Sequence, residues 1–569
     1  MKKKLITFLV AVVLIGIILV AFLGKTYLDK YSYSTERADM TEFYQASGDK
    51  AAMILQDAMV EEQALIREGI CYFDLDTVHK YMNEIFYVDF SEDLVLYTDA
   101  EQTISTVLSE NDGGYVTAEG EKNLGHPACL YEDGVVYLAA DYVKLFTNYS
   151  YDVYDLHVQV YTQWEEKQVA QIKKDTAIRQ RGGVKSAILK DLKAKDTVEV
   201  LEQMDNWSKV KSEDAVIGYV ENKRLGEIST VAETPVTDYV APEYTGISVD
   251  GKVSLGFHAI GATAGNSTLY EMVSGTKGMN VIAPTWFSLN DELGNFRSFG
   301  ETKYVDSAHA MGLQVWGVID NFNYRNETGN AVDEYQVLSS TSKRQKLVNG
   351  VVGAAVNLGL DGINVDFEQI AQSTGEHYVQ FLRELSVACR EKGLVLSVDD
   401  YVPFHFNEHY RLDIQGEVAD YVIVMGYDEH WHGSGDPGSV ASIEYVTNGI
   451  TKTISEVPAK KVVNALPLYM IVWTTNGTTV TDEYLTMNHL SSFLSQMSTQ
   501  PQWDEETCQN YLEWQSGSGL KQVWIEDAES IRAKLNVMTA NEIGGVAVWR
   551  LGYGTEAVWE LINAYSSMS

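Results

Sequence analysis

Eight short apolar runs recur after residue 249, and they constrain this chain more than any other feature. They are Val253–Ile260, Val281–Phe287, Gln314–Ile319, Gly362–Phe367, Val395–Val398, Tyr421–Met425, Lys461–Leu466 and Val546–Trp549. Helix-compatible stretches separate most of them. The clearest are Thr341–Leu358, with Ala354, Ala355 and Val356 on its apolar face, then Gly375–Lys392 and Ser530–Met538. Alternating strands and helices imply parallel strands joined by crossover helices. Eight such units close into a (β/α)8 barrel, whose functional groups gather at the C-terminal ends of the strands. The expected fold class is therefore α/β, with a C-terminal (β/α)8 TIM barrel over 249–569.

One run breaks the pattern expected of a buried strand. A parallel strand covered on both faces should be nearly continuous apolar sequence. Asp361-Gly362-Ile363-Asn364-Val365-Asp366-Phe367-Glu368 is not. Side chains alternate along a strand, so Ile363, Val365 and Phe367 share one face and Asn364, Asp366 and Glu368 the other. The spacing puts Asp366 and Glu368 about 6.5–7 Å apart on the face turned to the barrel interior. An unpaired buried carboxylate costs several kcal/mol or shifts its pKa. A buried polar ladder that only staples the barrel is one reading. A catalytic site is the other, because coupling between the two carboxyls would keep Glu368 protonated near neutral pH, as a general acid requires.

The pattern D-G-x-[DN]-x-D-x-E resembles the active-site strand of glycoside hydrolase family 18, the chitinase-like (β/α)8 enzymes. Further segments match that family in order: Met425-Gly426-Tyr427-Asp428, Leu466-Pro467-Leu468-Tyr469 and Gly545-Val546-Ala547-Val548-Trp549. The resemblance implies a retaining, substrate-assisted mechanism, an exception to the two-carboxylate scheme. Glu368 would protonate the glycosidic oxygen, and Asp366 would orient the substrate's own 2-acetamido group as it attacks. Tyr427 would bond the acetamido carbonyl, Asp428 would contact the sugar, and Trp549 would stack beneath it. Asn364 departs from the chitinase form, where an aspartate usually stands. An amide cannot share a proton as a carboxyl can, which weakens coupling to Asp366. The variant D-G-x-N-x-D-F-E is similar to the branch containing spore-cortex and peptidoglycan N-acetylglucosaminidases. Residues 523–530 (VWIEDAES) and Trp549-Arg550-Leu551-Gly552 resemble that branch too.

The N-terminal half divides differently. Lys2, Lys3 and Lys4 precede an uncharged stretch, Leu5 to Leu23, close to the ~20 residues a membrane-crossing helix needs. The lysines favour a cytoplasmic N-terminus. A signal peptide has a shorter apolar region, about 7–15 residues, ending at a small-x-small site. Ala21-Phe22-Leu23-Gly24 is a poor one, so 1–33 is expected to be a cytoplasmic stub and an uncleaved transmembrane anchor. Residues 34 to 65 read as a helical stalk. Segments 68–98 and 133–162 then echo each other, each a strand, a short helix holding Val78 or Val143, and further strands. They resemble the stalk repeat named after the N-terminal domain of copper amine oxidases, so 34–167 is expected to be an α+β repeat domain. Alternating short strands over 168–228 imply a small β-barrel. Trp207-Ser208-Lys209-Val210 and Gly218-Tyr219-Val220 are similar to a bacterial SH3-like domain, a module that binds wall components or serves as a spacer. Residues 229–248 lack periodicity and read as a linker.

Composition narrows the function. A net charge of -37 excludes nucleic acid as a natural partner, since phosphates demand Lys and Arg. The 34 Tyr and 11 Trp suit sugar faces, and equally suit cores. Trp286, after the second run, either lines the cleft or packs in the core; Trp316 falls mid-strand and reads as packing. His405, His409, His430 and His432 are scattered, and the four cysteines show no metal-like spacing, so no metal is expected. Cys71 and Cys129 fall in one region and are free to pair or not. No phosphate-binding glycine motif is present, so no cofactor is expected. The chain is expected to be a membrane-anchored extracytoplasmic glycoside hydrolase acting on N-acetylglucosamine glycans, peptidoglycan before chitin. The alternative is a non-catalytic glycan-binding or wall-organising protein.

Overall fold

The computed structural model describes residues 2–109, 111–233, 239–324 and 331–568. Residues 234–238 of the expected linker and 325–330 of the expected barrel lie outside the described residues. The chain forms two compact units, Met1–Phe86 with Thr106–Ala241, and Tyr87–Ser105 with Pro242–Ser569.

The first unit begins with helix α1 (Lys2–Tyr31). Within Leu5–Leu28 the most apolar 18-residue window has a mean hydropathy of 3.2, and none of that window is buried. At 1.5 Å per residue Leu5–Leu28 is about 36 Å long, sufficient in length and composition to cross a bilayer.

The expected helical stalk over 34–65 does not form. A single turn, Met40–Tyr44, leads into the hairpin Lys50–Leu55 and Ala58–Arg67. Its alanines, glutamates and leucines favour helix, but propensity is weak against burial. Ala52, Met53 and Ile54 are almost wholly buried, and Gln56 takes φ 53° at the turn. The hairpin sits in a seven-stranded sheet. The two echoing segments each form a strand running into a helix: Ile70–Asp74 into Leu75–Tyr81, and Val135–Ala139 into Ala140–Lys144. Those strands pair antiparallel, Phe73 opposite Leu138, and Val78 and Val143 are fully buried. Cys71 and Cys129 are buried and unpaired. Residues 167–231 form a second seven-stranded sheet, closed over Ile172, Ile178, Val200, Val210 and Val220.

The second unit contains the barrel. Its strands are β1 (Val253–His258), β2 (Val281–Pro284), β3 (Gln314–Asp320), β4 (Gly362–Asp366), β5 (Val395–Tyr401), β6 (Tyr421–Met425), β7 (Val462–Pro467) and β8 (Gly545–Trp549). Each pairs in parallel with the next, and β8 with β1, so the sheet closes. This is the eight-stranded α/β barrel expected. Leu255, Trp316, Val318, Ile423 and Ala547 fill its interior. Ile363, Val365 and Phe367 pack outward against the helices, as the alternation requires. Helices α2 (Thr341–Leu358) and α3 (Gly375–Lys392) match their expected limits. Each stops at a left-handed glycine, Gly359 or Gly393, the residue type that tolerates that conformation. Between β7 and β8 the crossover is not simply helical. A five-stranded antiparallel sheet over 469–525 precedes helix Ala528–Ala540.

The hairpin Tyr87–Asp89 and Leu94–Thr98 belongs to this unit and caps α2, whose own N-cap residue, Ser340, makes no side-chain cap bond. The Thr341 amide donates to Asp89 Oδ2 at 2.5 Å and the Ser342 amide to Glu92 Oε1 at 2.9 Å. Both carboxylates satisfy orphan N–H groups and complement the helix dipole. Asp89→Ala is expected to lower unfolding free energy by about 1–2 kcal/mol, read from urea denaturation. An unchanged midpoint would mean that the hairpin does not hold this helix end.

Candidate active site

The polar face of β4 rises from the barrel interior toward its C-terminal mouth. Asn364 is lowest and fully buried. Its Nδ2 donates to Ser397 Oγ and to Asp399 Oδ1, both at 2.9 Å, tying β4 to β5. Asp366 ends the strand, 8% exposed. Glu368 follows two residues beyond. Its amide donates to Asn321 Oδ1 while Asn321 Nδ2 donates to its carbonyl, each at 2.9 Å. This reciprocal pair, supplied from the end of β3, fixes the backbone that carries the carboxyl. The Tyr401 hydroxyl donates to Glu368 Oε2 at 2.8 Å.

These groups open into a cleft of about 600 Å³, where Asp366, Glu368, Tyr401, Tyr427, Asp428 and Trp549 meet. Trp549 packs over Phe257, ring centroids 5.6 Å apart. Asp428 accepts a hydrogen bond from the Tyr469 hydroxyl.

The electrostatics follow from crowding acids in a desolvated place. Burial pushes Asp366 well above the usual carboxylate range, and Asp399, Glu368 and Asp320 push it further. Burial also raises Glu368, opposed by the Tyr401 hydrogen bond and reinforced by Asp428 and Asp320. Asp399 is pushed up to about 8, by burial first, against the Asn364 hydrogen bond. Asp428 is raised by burial, against the Tyr469 bond. Neighbouring carboxylates in a low dielectric cannot all ionise, so the cluster retains protons at neutral pH. A carboxyl at the cleft wall that keeps its proton is equipped to act as an acid.

Glu368, Asp366, Tyr427, Asp428 and Trp549, singled out in the sequence, come together here. Two others do not. Asn364 is fully buried and does not line the cleft; its amide donates to Asp399. Trp286 is fully buried, its indole N–H donating to Asn266 Oδ1 at 2.8 Å and its ring edge-on to Tyr304. It follows the end of β2 at Pro284, where the chain turns its side chain away from the barrel mouth. Sequence reasoning missed Asp399, Tyr401, Asp320 and Asn321. Polar residues at the C-terminal ends of β3 and β5 were the available signal. The four histidines hold separate partners: His405 Glu408, His409 the Ile370 carbonyl, His430 Asp436 and His432 Asp482.

The chain is similar to known proteins over the barrel and over the smaller sheet before it. Residues 297–554 match the model for glycosyl hydrolases family 18, and residues 174–226 that for the bacterial SH3 domain. The uncharacterized glycosylase YvbX of Bacillus subtilis is 25% identical over 315 residues, 53% of this chain and 90% of that protein. A cortical fragment-lytic enzyme of Bacillus subtilis is 27% identical over 281 residues, 48% of this chain and 62% of that protein. In fold, a chitinase from Chromobacterium violaceum superposes with a TM-score of 0.50 at 23% identity, covering 56% of this chain and 100% of that one. The spore cortex-lytic enzyme SleL of Bacillus cereus gives 0.50 at 21% identity, covering 60% and 77%.

Proposed function

Because the barrel is a family 18 glycoside hydrolase domain, we propose that this chain is a membrane-tethered β-N-acetylglucosaminidase that cuts peptidoglycan outside the cytoplasm. Chitin-type glycans are the lesser substrate. The observation that carries the reading is Glu368 at the cleft wall, held by Tyr401, with Asp366 behind it on the same strand face. Glu368 protonates the glycosidic oxygen. Asp366 steadies the substrate's 2-acetamido group while its carbonyl oxygen attacks the anomeric carbon, and configuration is retained after water opens the intermediate. Tyr427 bonds the acetamido carbonyl, Asp428 the sugar, and Trp549 carries the ring. The wall substrate is supported by the cortical fragment-lytic relative and the bacterial SH3 domain. The tether is supported by the apolar helix behind three lysines, which favours an internal N-terminus.

The test is product analysis by mass spectrometry. Residues 34–569 would be incubated with peptidoglycan and, separately, with chitin oligomers, each beside Glu368→Gln. The expected result is new reducing-end N-acetylglucosamine from peptidoglycan, absent in the variant. Binding without cleavage of either glycan would overturn the hydrolase mechanism.

Tyr401→Phe tests the electrostatics. The Tyr401 hydrogen bond favours the ionised form of Glu368, so its removal raises that pKa. An acid must be protonated to act, so the alkaline limb of kcat/KM is expected to move to higher pH. A limb that stays put or moves down would show that Tyr401 does not bond the carboxylate.

A further inference from the structure

Two guanidinium groups, Arg297 and Arg550, line a cleft whose other charged groups are carboxyls, Asp366, Glu368, Asp399 and Asp428. They are held differently. Arg550 is engaged: its Nη2 donates to the Tyr553 hydroxyl at 2.5 Å, and its guanidinium lies 4.4 Å from that ring. Arg297 stands on Phe296–Ser298, the return strand of a short hairpin whose first strand, Phe287–Leu289, pairs with the end of β3. This places Arg297 opposite Ser288, with Ser288 beside Asp320.

Arg297 Nη2 donates to Ser288 Oγ at 3.2 Å, and Ser288 Oγ donates to Asp320 Oδ2 at 3.2 Å. The acid is thus reached only through a hydroxyl. Its oxygens already accept from the Asn323 amide and Nδ2, both at 2.9 Å, and from the Phe322 amide. Arg297 Nε is buried and makes no hydrogen bond. Among the described residues Arg297 forms no ion pair. Its guanidinium lies 4.4 Å from the Phe299 ring and 5.6 Å from Tyr324. Aromatic rings that take its face fix its plane without neutralising it.

In a chain with 80 acidic and 43 basic residues, an arginine with no carboxylate partner among the described residues, in a cleft that holds four carboxyls, is informative. A partly desolvated guanidinium without an anion is costly, and its planar fork suits a carboxylate better than any neutral group. A glycan of N-acetylglucosamine alone is uncharged and supplies no such partner. A muramyl unit does, through its lactyl ether carboxylate or through carboxylates of an attached stem peptide. Resting on the N-acetylglucosaminidase reading, we propose that Arg297 is the specificity-determining residue that anchors a carboxylate borne by a muramyl unit. It thereby selects wall glycan over chitin-type glycan. It touches no reacting atom in this assignment; it sets which polymer occupies the cleft.

The experiment measures dissociation constants on the full chain carrying Glu368→Gln, with and without Arg297→Gln or Arg297→Lys. The probes are glycan strands stripped of stem peptides, strands that retain them, and chitin oligomers. Arg297→Gln is expected to weaken binding of a muramyl glycan about tenfold relative to chitin oligomers. Arg297→Lys should recover part of that loss, and raising the salt concentration should erode the preference where Arg297 is intact. Loss on stripped strands assigns the lactyl carboxylate; loss confined to peptide-bearing strands assigns the stem peptide. An equal loss on all three probes, or no loss, overturns the proposal, because the arginine then only shapes the cleft. Cleavage by the chain with Glu368 intact is scored separately. A chain that cuts no glycan overturns the enzymatic reading, while cleavage with unchanged binding ratios overturns Arg297 alone.

Discussion

Glu368→Gln is expected to lower kcat on the cleaved glycan by about 10³–10⁴-fold, near the upper range for loss of a general acid, with KM and thermal unfolding little changed. Gln keeps the volume of the side chain and an oxygen for the Tyr401 hydroxyl, but it has no acidic proton to give the leaving oxygen. The pH dependence follows from burial. Glu368 sits above the ordinary carboxylate range because it is desolvated and faces Asp428 and Asp320. Activity therefore persists above the pH at which a free carboxyl has ionised, and falls as pH rises through the raised value. Whatever slow cleavage remains in Glu368→Gln should lack that alkaline limb. The check is kcat across about pH 4 to pH 9 for both proteins. A variant that retains more than one-tenth of the activity would remove Glu368 from the chemistry.

The part of this site that was legible in the sequence is the part that violates folding logic within one strand. Asn364, Asp366 and Glu368 alternate with Ile363, Val365 and Phe367, a polar interior face that a purely structural buried strand does not call for. Asp399 and Tyr401 were not legible, because Asp399-Asp400 reads as the end of a strand at Val398. The backbone in fact continues to Tyr401. Only the pairing of Asn364 with Ser397 and Val365 with Val398 brings Asp399 beside Asp366. Register between strands distant in sequence is a tertiary property, and a single-strand pattern does not contain it. Trp286, which the sequence leaves open between cleft and core, takes the core. Val281–Phe287 reads as one run, yet the strand breaks after Pro284 and resumes at Phe287, and Trp286 joins Ile282 in the cluster packed outside the barrel sheet. The hairpin at 50–67 was hidden by its helix-favouring composition, and the five-stranded insertion by its position within an otherwise regular β/α alternation.

The hairpin at 87–98 leads to the largest expected stability effect, at residues that do not line the cleft. Arg344 on α2 is fully buried and pairs with Glu384 on α3 at 3.0 Å. Its Nη1 donates to the Leu338 carbonyl at 2.6 Å and to the Tyr87 hydroxyl at 3.2 Å, and its Nη2 to Thr341 Oγ1 at 3.0 Å. Gln380 Nε2 donates to both Glu384 Oε1 and Thr98 Oγ1, at 2.9 Å each. One cation thus joins two barrel helices to the hairpin. Arg344→Met strands Glu384 without its partner, and breaking a buried pair this way costs about 3–5 kcal/mol. Burial already raises Glu384, with Arg344 opposing; removal of the arginine raises it further. A carboxyl whose folded pKa exceeds its unfolded one favours folding below the unfolded value, and that contribution is lost as pH rises through the folded value. The deficit of Arg344→Met should therefore be smallest in mild acid and grow toward neutral pH. Arg344→Met combined with Glu384→Leu removes the stranded charge and should recover much of the loss. Urea unfolding of the three proteins at two pH values reads the result. A double variant no more stable than Arg344→Met would show that the arginine acts through the Tyr87 and Leu338 hydrogen bonds, and not through Glu384.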